Sequence, residues 1–297
     1  MKVGFIGLGI MGRPMAKNLL NAGVELVVSD LNTEAVNELV SLGAEAGTYE
    51  QIGQKCDIIL TILPNGKIVQ DVLFGESGVS KTLTAGKFVC DMSSVTPTES
   101  KTCYSKLKEL GVGFVDAPVS GGEPGAIAGS LAIMCGGDEK DFDALQEIFG
   151  ILGNSSLLIG PSGSGSVTKL ANQIIVNLGI ATVSEALVLA TKAGADPMKV
   201  YKAIRGGLAG SAVLDAKAPM MCPRNFVPGG KISINHKDIK NVVNTAHDLD
   251  VPLPLTAELF EIMQALKVSG HMNDDHAGIV QYFEQLAGVE VKSDITE

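Results

Sequence analysis

Tryptophan is absent from this 297-residue chain, and aromatic side chains make up only 4% of it. The core must therefore be aliphatic. Cysteine is scarce as well: Cys56, Cys90, Cys103, Cys135 and Cys222 are odd in number, widely spaced and form no CxxC pair. That pattern argues against a disulfide framework or a thiolate zinc site and reads as buried, reduced thiols. Positive charge is in deficit, with 23 Lys and Arg against 33 Asp and Glu and a net charge of −10. A field of that sign disfavours nucleic acid and anionic membranes as partners, so neither is expected. No uninterrupted apolar run of membrane-spanning length is read from the sequence. Met1-Lys2 leads at once into an apolar strand, without the long apolar region and cleavage site of a secretory leader. The expected location is the cytoplasm. His236, His247, His271 and His276 lack HExxH-type spacing, so no metal is expected.

What is present is an apolar fraction of 45% with 19% charged residues, normal for a globular chain, and a length that suggests two domains or one large one. The first half alternates short β-rich runs with helical patterns. Strands are expected at residues 2–6, 25–29, 57–62, 88–91, 113–115, 132–135 and 156–159. Most are continuous apolar runs, as required when both faces of a sheet are covered. Thr96-Pro97-Thr98-Glu99 combines a capping box with proline at the first helical position. Alternation of this kind predicts a parallel, doubly wound α/β sheet. The pattern changes at Gly160-Pro161-Ser162-Gly163-Ser164-Gly165, a run of turn formers. A long helix over 166–193 should follow, apolar around most of its circumference and thus surrounded by protein on nearly all sides. Asp196-Pro197 then caps another helix, and no strand pattern follows. The expected domains are 1–161, α/β, and 162–297, all-helical, joined by the long helix; residues 292–297 should fray.

Gly7-Leu8-Gly9-Ile10-Met11-Gly12 is a GxGxxG motif between the strand KVGFI and a helix. The first glycine permits a tight turn, the second lets the backbone approach a pyrophosphate, and the third allows close helix–strand packing. The helix N-terminus offers N–H groups and partial positive charge to phosphates. Asp30 closes the second strand at the spacing expected of the ribose-binding carboxylate. Strand, glycines, helix and acid in this order predict a Rossmann dinucleotide site. Asp30 repels a 2′-phosphate, and Leu31-Asn32-Thr33 supplies no arginine to hold one. NAD is the expected cofactor, with NADP the alternative.

Three further segments carry polar groups. Asp116-Ala117-Pro118-Val119-Ser120-Gly121-Gly122 follows a strand, at the sheet edge where open α/β folds bind ligands. Ser120, Gly121 and Gly122 read equally as a carboxylate nest or as an ordinary turn. Lys169 lies one turn into the long helix, with Asn172 and Gln173 three and four residues on. It reads either as a proton donor beside a carboxamide or as a lysine snorkelling to solvent. His236-Lys237-Asp238-Ile239-Lys240-Asn241 reads as a charged helix run in which Asp238 and Asn241 share a face and Lys237 points elsewhere.

Together FIGLGIMGRPMAKNL, DAPVSGGEPGAIAGSL, GSGSVTKLANQ and HKDIKN resemble the β-hydroxyacid dehydrogenase family, in order and across essentially the whole chain. RGGLAGS followed by AVLDAKAPMM resembles its tartronate semialdehyde reductase branch. The resemblance implies NAD(P)-dependent hydride transfer to or from a small hydroxy acid. It implies Lys169 as catalytic acid/base; Ser120, Gly121 and Gly122 as the carboxylate site; and Asn172 as an orienting group. It places Leu63, Pro64, Asn65 and Ser94 at the cofactor, and has Lys237 reaching cofactor and substrate. Many members carry asparagine where this chain has Gln173, which leaves open whether Asn172 or Gln173 meets the substrate. Rival readings are 3-hydroxyisobutyrate or sulfolactaldehyde chemistry and, outside catalysis, a dinucleotide-binding reader protein. The apolar long helix implies a homo-oligomer packed through the C-terminal half.

Overall fold

Nine strands in the first half make one sheet: β1 (Lys2–Ile6), β2 (Glu25–Ser29), β3 (Glu45–Ala46), β4 (Ile58–Thr61), β5 (Phe88–Asp91), β6 (Gly113–Asp116), β7 (Val119–Ser120), β8 (Leu131–Gly137) and β9 (Gly153–Gly160). They belong to a computed structural model that describes residues 1–295; the last two residues of the expected frayed tail, 296 and 297, lie outside the described residues. The chain divides into two units, 1–169 and the remainder from Leu170. The boundary expected at 161 lies one residue past the end of β9, and the division into units falls within the long helix.

The sheet order is β3-β2-β1-β4-β5-β6-β8-β7, with β9 also on β8. The pairs from β3 to β6 are parallel, giving the doubly wound Rossmann arrangement. The sequence predicts a parallel sheet, but the sheet is not parallel throughout: β8 runs antiparallel to both β6 and β7. Residues 121–130 are too few for the crossover that a parallel return from β7 requires. The two-residue strands β3 and β7 were not foreseen, because a strand so short shows no periodicity.

Adjacent residues of the central strands enter opposite core layers. Val28, Leu60 and Cys90 join one cluster, and Val27, Ile59 and Val89 the other. This is why the strands read as unbroken apolar runs. All five cysteines are buried free thiols, and burial pushes Cys103 and Cys135 up to about 12.

The capping box at Thr96 and Glu99 starts the helix Pro97–Glu109 as the sequence predicts. The long helix spans Ser164–Lys192. The second unit is helical, with Pro197–Ile204, Ala212–Met221, Ile232–Asp248, Pro254–Val268 and Val280–Ala287 around an aliphatic core that includes Ile180, Met221, Ile239 and Met263. Asp196 caps the first of these through the Lys199 N–H.

Three expectations need correction. Protein does not surround the long helix on nearly all sides, for Ile175 and Leu189 are 72% and 73% exposed. By length and composition the helix also meets the requirement for a membrane span, which the sequence reading had not found. Yet Lys169, Gln173, Asn177 and Ser184 are buried along it, and the side chain of each donates a hydrogen bond inside the protein. The described part of the tail does not fray either. Ser293 donates its N–H to the Cys222 carbonyl and its hydroxyl to Asp196.

Candidate active site

The three glycines of the motif answer different demands. Gly7 has φ +101°, and a Cβ there would lie 2.3 Å from the Ile62 carbonyl oxygen. A Cβ on Gly12 would lie 1.9 Å from the Gly7 carbonyl oxygen. The fold itself therefore requires these two glycines. Gly9 is different: its Cβ would meet nothing within 4 Å. The helix that follows, Gly12–Asn21, has no side-chain cap and no acid in its first turn. An open cradle before an uncapped helix N-terminus fits a pyrophosphate, so the turn from Gly7 to Gly12 is suited to hold the dinucleotide.

Asp30 lies just beyond β2 and reaches back to the turn. Its Oδ2 accepts the Leu8 N–H at 2.5 Å and its Oδ1 the Asn32 N–H at 2.7 Å. The carboxylate is thus aimed before any ligand arrives. A cleft of about 760 Å³ opens beside it, lined by Asp30, Leu31, Tyr49, Ser77, Lys81 and Thr82 among others. It has room for an adenosine, and among the described residues no arginine lines it.

Leu63, Pro64 and Asn65 follow β4, and Ser94 follows β5, at the carboxyl edge of the sheet. Asn65 caps the helix Gly66–Phe74 by accepting the Ile68 N–H. The Leu63 N–H donates to Ser93 Oγ at 2.8 Å. Asp91, fully buried at the end of β5, accepts from Thr61 Oγ1 and the Ser93 N–H. Burial raises its pKa, while those donors pull the other way. The sequence reading missed Asp91, whose only signal is a carboxylate ending an apolar strand.

Lys169 does not snorkel. It is 9% exposed, and its Nζ donates to the Val119 carbonyl at 2.8 Å. Val119 immediately precedes Ser120, Gly121 and Gly122. Gly121 and Gly122 have φ of +141° and +62°, so the backbone there demands glycine, and both lie exposed. Ser120 pairs with Ala132 at the β7–β8 edge. The first unit thus brings the lysine to the segment expected to bind a carboxylate.

The second unit gathers the remaining groups into a chain of contacts. Asn172 Nδ2 donates to Gln173 Oε1 at 3.0 Å. Gln173 Nε2 donates to Asp238 Oδ2 at 2.6 Å and to Asn235 Oδ1 at 3.3 Å. Lys237 pairs with Asp238 at 2.9 Å, so the expectation that it points away from that carboxylate is wrong. The long stem folds back on its neighbour, which helix spacing alone does not anticipate. Gln173 is buried and bonded through both ends of its amide, whereas Asn172 is half-buried. The sequence reading places Asp238 only on a face with Asn241 and does not single out Asn235; their tertiary contacts with Gln173 reveal both.

The profile for the NAD-binding domain of 6-phosphogluconate dehydrogenase matches residues 2–160. A second, for the NAD-binding region of NADP-dependent 3-hydroxyisobutyrate dehydrogenase, matches residues 163–283. The chain is 45% identical over 288 residues to the 2-hydroxy-3-oxopropionate reductase of Escherichia coli K12, covering 97% of this chain and 98% of that one. The chain belongs to the β-hydroxyacid dehydrogenase family. As a β-hydroxyacid dehydrogenase it is an NAD(P)-dependent oxidoreductase. It is also 36% identical over 293 residues to the 2-(hydroxymethyl)glutarate dehydrogenase of Eubacterium barkeri, covering 98% of this chain and 97% of that one. Its fold matches the crystal structure of a 3-hydroxyisobutyrate dehydrogenase from Salmonella typhimurium with a TM-score of 0.86, at 27% identity, over 95% of this chain and 99% of that one. The two profiles meet near the turn-rich run 160–165.

Proposed function

We propose that this β-hydroxyacid dehydrogenase reduces tartronate semialdehyde to D-glycerate with NADH, Lys169 serving as proton donor. The observation that carries the reading is the buried Lys169 ammonium on the Val119 carbonyl, next to Ser120, Gly121 and Gly122. The choice of substrate is supported by the 45% identity to a reductase of that compound.

The nicotinamide dinucleotide, when bound, supplies the hydride. Gly7 to Gly12 would hold its pyrophosphate and Asp30 the adenosine ribose, with Leu63, Pro64, Asn65 and Ser94 along the same sheet edge. Ser120, Gly121 and Gly122 hold the substrate carboxylate through a hydroxyl and two unhindered N–H groups. As the aldehyde carbon becomes tetrahedral its oxygen gathers negative charge. Lys169 stabilises that charge and donates its proton, leaving an amine that solvent reprotonates. Asn172 keeps a carboxamide for orienting substrate, while Gln173 fixes Asp238 and, through it, Lys237.

The test is kcat/KM for tartronate semialdehyde, methylmalonate semialdehyde and sulfolactaldehyde, each with NADH and NADPH. Tartronate semialdehyde with NADH should lead. The second reading, 3-hydroxyisobutyrate chemistry, is favoured by the fold match to the Salmonella enzyme and wins if methylmalonate semialdehyde leads. The reading includes a cytoplasmic homo-oligomer, at least a dimer, packed through the helix face that leaves Ile175 and Leu189 exposed. A monomer by light scattering at micromolar concentration would overturn that part.

A further inference from the structure

Asp116 ends β6 and opens the segment that continues through Val119 to Ser120, Gly121 and Gly122. Its two oxygens are used separately. Oδ1 accepts the Gly163 N–H at 2.7 Å and, at 3.4 Å, the Ser162 hydroxyl; Oδ2 accepts the Ser166 N–H at 2.8 Å. All three donors belong to the entry of the long helix. Lys169 lies three residues beyond Ser166, less than one turn, at ~1.5 Å rise per residue. The backbones are in close register there: a Cβ on Gly165 would lie 2.4 Å from the carbonyl oxygens of both Asp116 and Met134. One short segment thus grips the helix entry at Asp116, accepts the lysine at Val119, and presents Ser120 next to it.

We propose that Asp116 is a positioning residue for Lys169: its ionised carboxylate fixes the start of the long helix so that the ammonium stays beside Ser120, and protonation of the carboxylate loosens the lysine and slows hydride transfer. The proposal rests on the reading of Lys169 as the proton donor. A neutral side chain would cap this helix without the cost of burying a charge, yet this chain places a carboxylate there. Each oxygen accepts an N–H, and a neutral carboxyl accepts both more weakly than the carboxylate, so protonation weakens the grip on the helix entry.

The titratable groups that interact with Asp116 are Asp91 on β5 and the thiols of Cys90, Cys103 and Cys135; the nearest lysines on the elements around it are Lys101, packed over Gly163, and Lys169, whose Nζ is on the Val119 carbonyl. Burial raises Asp116 to about 6, the Gly163 and Ser166 N–H groups lower it, and Asp91 adds to the rise. Protonation therefore falls within a range that activity assays reach.

The experiment is the single-turnover rate of NADH oxidation by the whole enzyme against pH, from about 5 to 8, for wild type, Asp116→Asn, Ser162→Ala and Lys169→Ala, with NADH affinity measured alongside. The wild-type rate should fall below about pH 6. Asp116→Asn should lose that acid limb and run roughly ten- to a hundredfold slower at neutral pH, its NADH affinity little changed. Ser162→Ala removes a donor from the carboxylate and should move the limb to higher pH. If Asp116→Asn does not fold, the Ser162→Ala shift decides. A flat wild-type profile, or the same acid limb in all folded variants, overturns the proposal. A Lys169→Ala enzyme of wild-type rate would instead overturn the underlying reading of Lys169.

Discussion

Lys169 donates to the Val119 carbonyl at 2.8 Å, and Val119 is the residue before Ser120. A charged group that would ordinarily reach for water is held at the mouth of a glycine turn. Replacing it with alanine should cut kcat by ~10²-fold or more. NADH affinity should survive, since the glycine turn and Asp30 are untouched. Stopped-flow turnover with a fluorescence titration of NADH reads both; a variant of near-wild-type kcat would remove Lys169 from the chemistry.

Gly7 and Gly9 should separate folding from binding. Gly7→Ala forces a side chain into left-handed backbone and against the Ile62 carbonyl, so it should destabilise the protein by about 1–3 kcal/mol or more. Gly9→Ala meets open space and should leave stability within about 0.5 kcal/mol. It should nonetheless weaken NADH, because the methyl occupies room meant for phosphate. Denaturant melts and cofactor titrations on both variants check the split; an unchanged NADH Kd in Gly9→Ala would contradict it.

Asp30 should set the cofactor preference. The wild-type enzyme should have a lower KM for NADH than for NADPH. Asp30→Ala should raise the KM for NADH about tenfold or more, the loss of a charge-assisted hydrogen bond being worth ~1.5–3 kcal/mol. It should also narrow the gap to NADPH. A wild-type preference for NADPH would defeat the assignment.

Asp116 should make one contribution to stability that runs against the usual acid trend. Its folded-state pKa, raised by burial to about 6, exceeds the ordinary value of 3.8. The native state therefore binds the proton more readily than the unfolded chain between those two values. The stability from this residue is fully present below the lower value and is lost as pH rises through the upper one. Relative to Asp116→Asn, wild type should gain stability as pH falls from about 7 to 4. Paired thermal melts across that range measure it, and a difference that stays constant or moves the other way would refute the shift.

Much of the first unit is legible residue by residue. The order of strand, glycines, helix and Asp30 is local, because each piece answers a steric or electrostatic demand within a few residues of itself. The capping box at Thr96 and the cap at Asp196 are local in the same sense. Lys169 was legible as a position but not as a state. Whether its ammonium met water or protein depended on Val119, fifty positions away in the chain and brought to it only by packing. Gln173 shows the same divide. Helix spacing puts it beside Asn172, but only the approach of Asp238 and Asn235 reveals that its amide is already engaged.

By itself the sequence determined the α/β-then-helical order, the dinucleotide motif and the residues in contention for chemistry, since periodicity, turns and caps are short-range properties of a chain. Tertiary structure alone decided that β8 turns antiparallel, that Asp116 grips the helix entry, and that Ile175 and Leu189 remain uncovered. Those outcomes depend on which distant surfaces meet, and no local pattern carries that information.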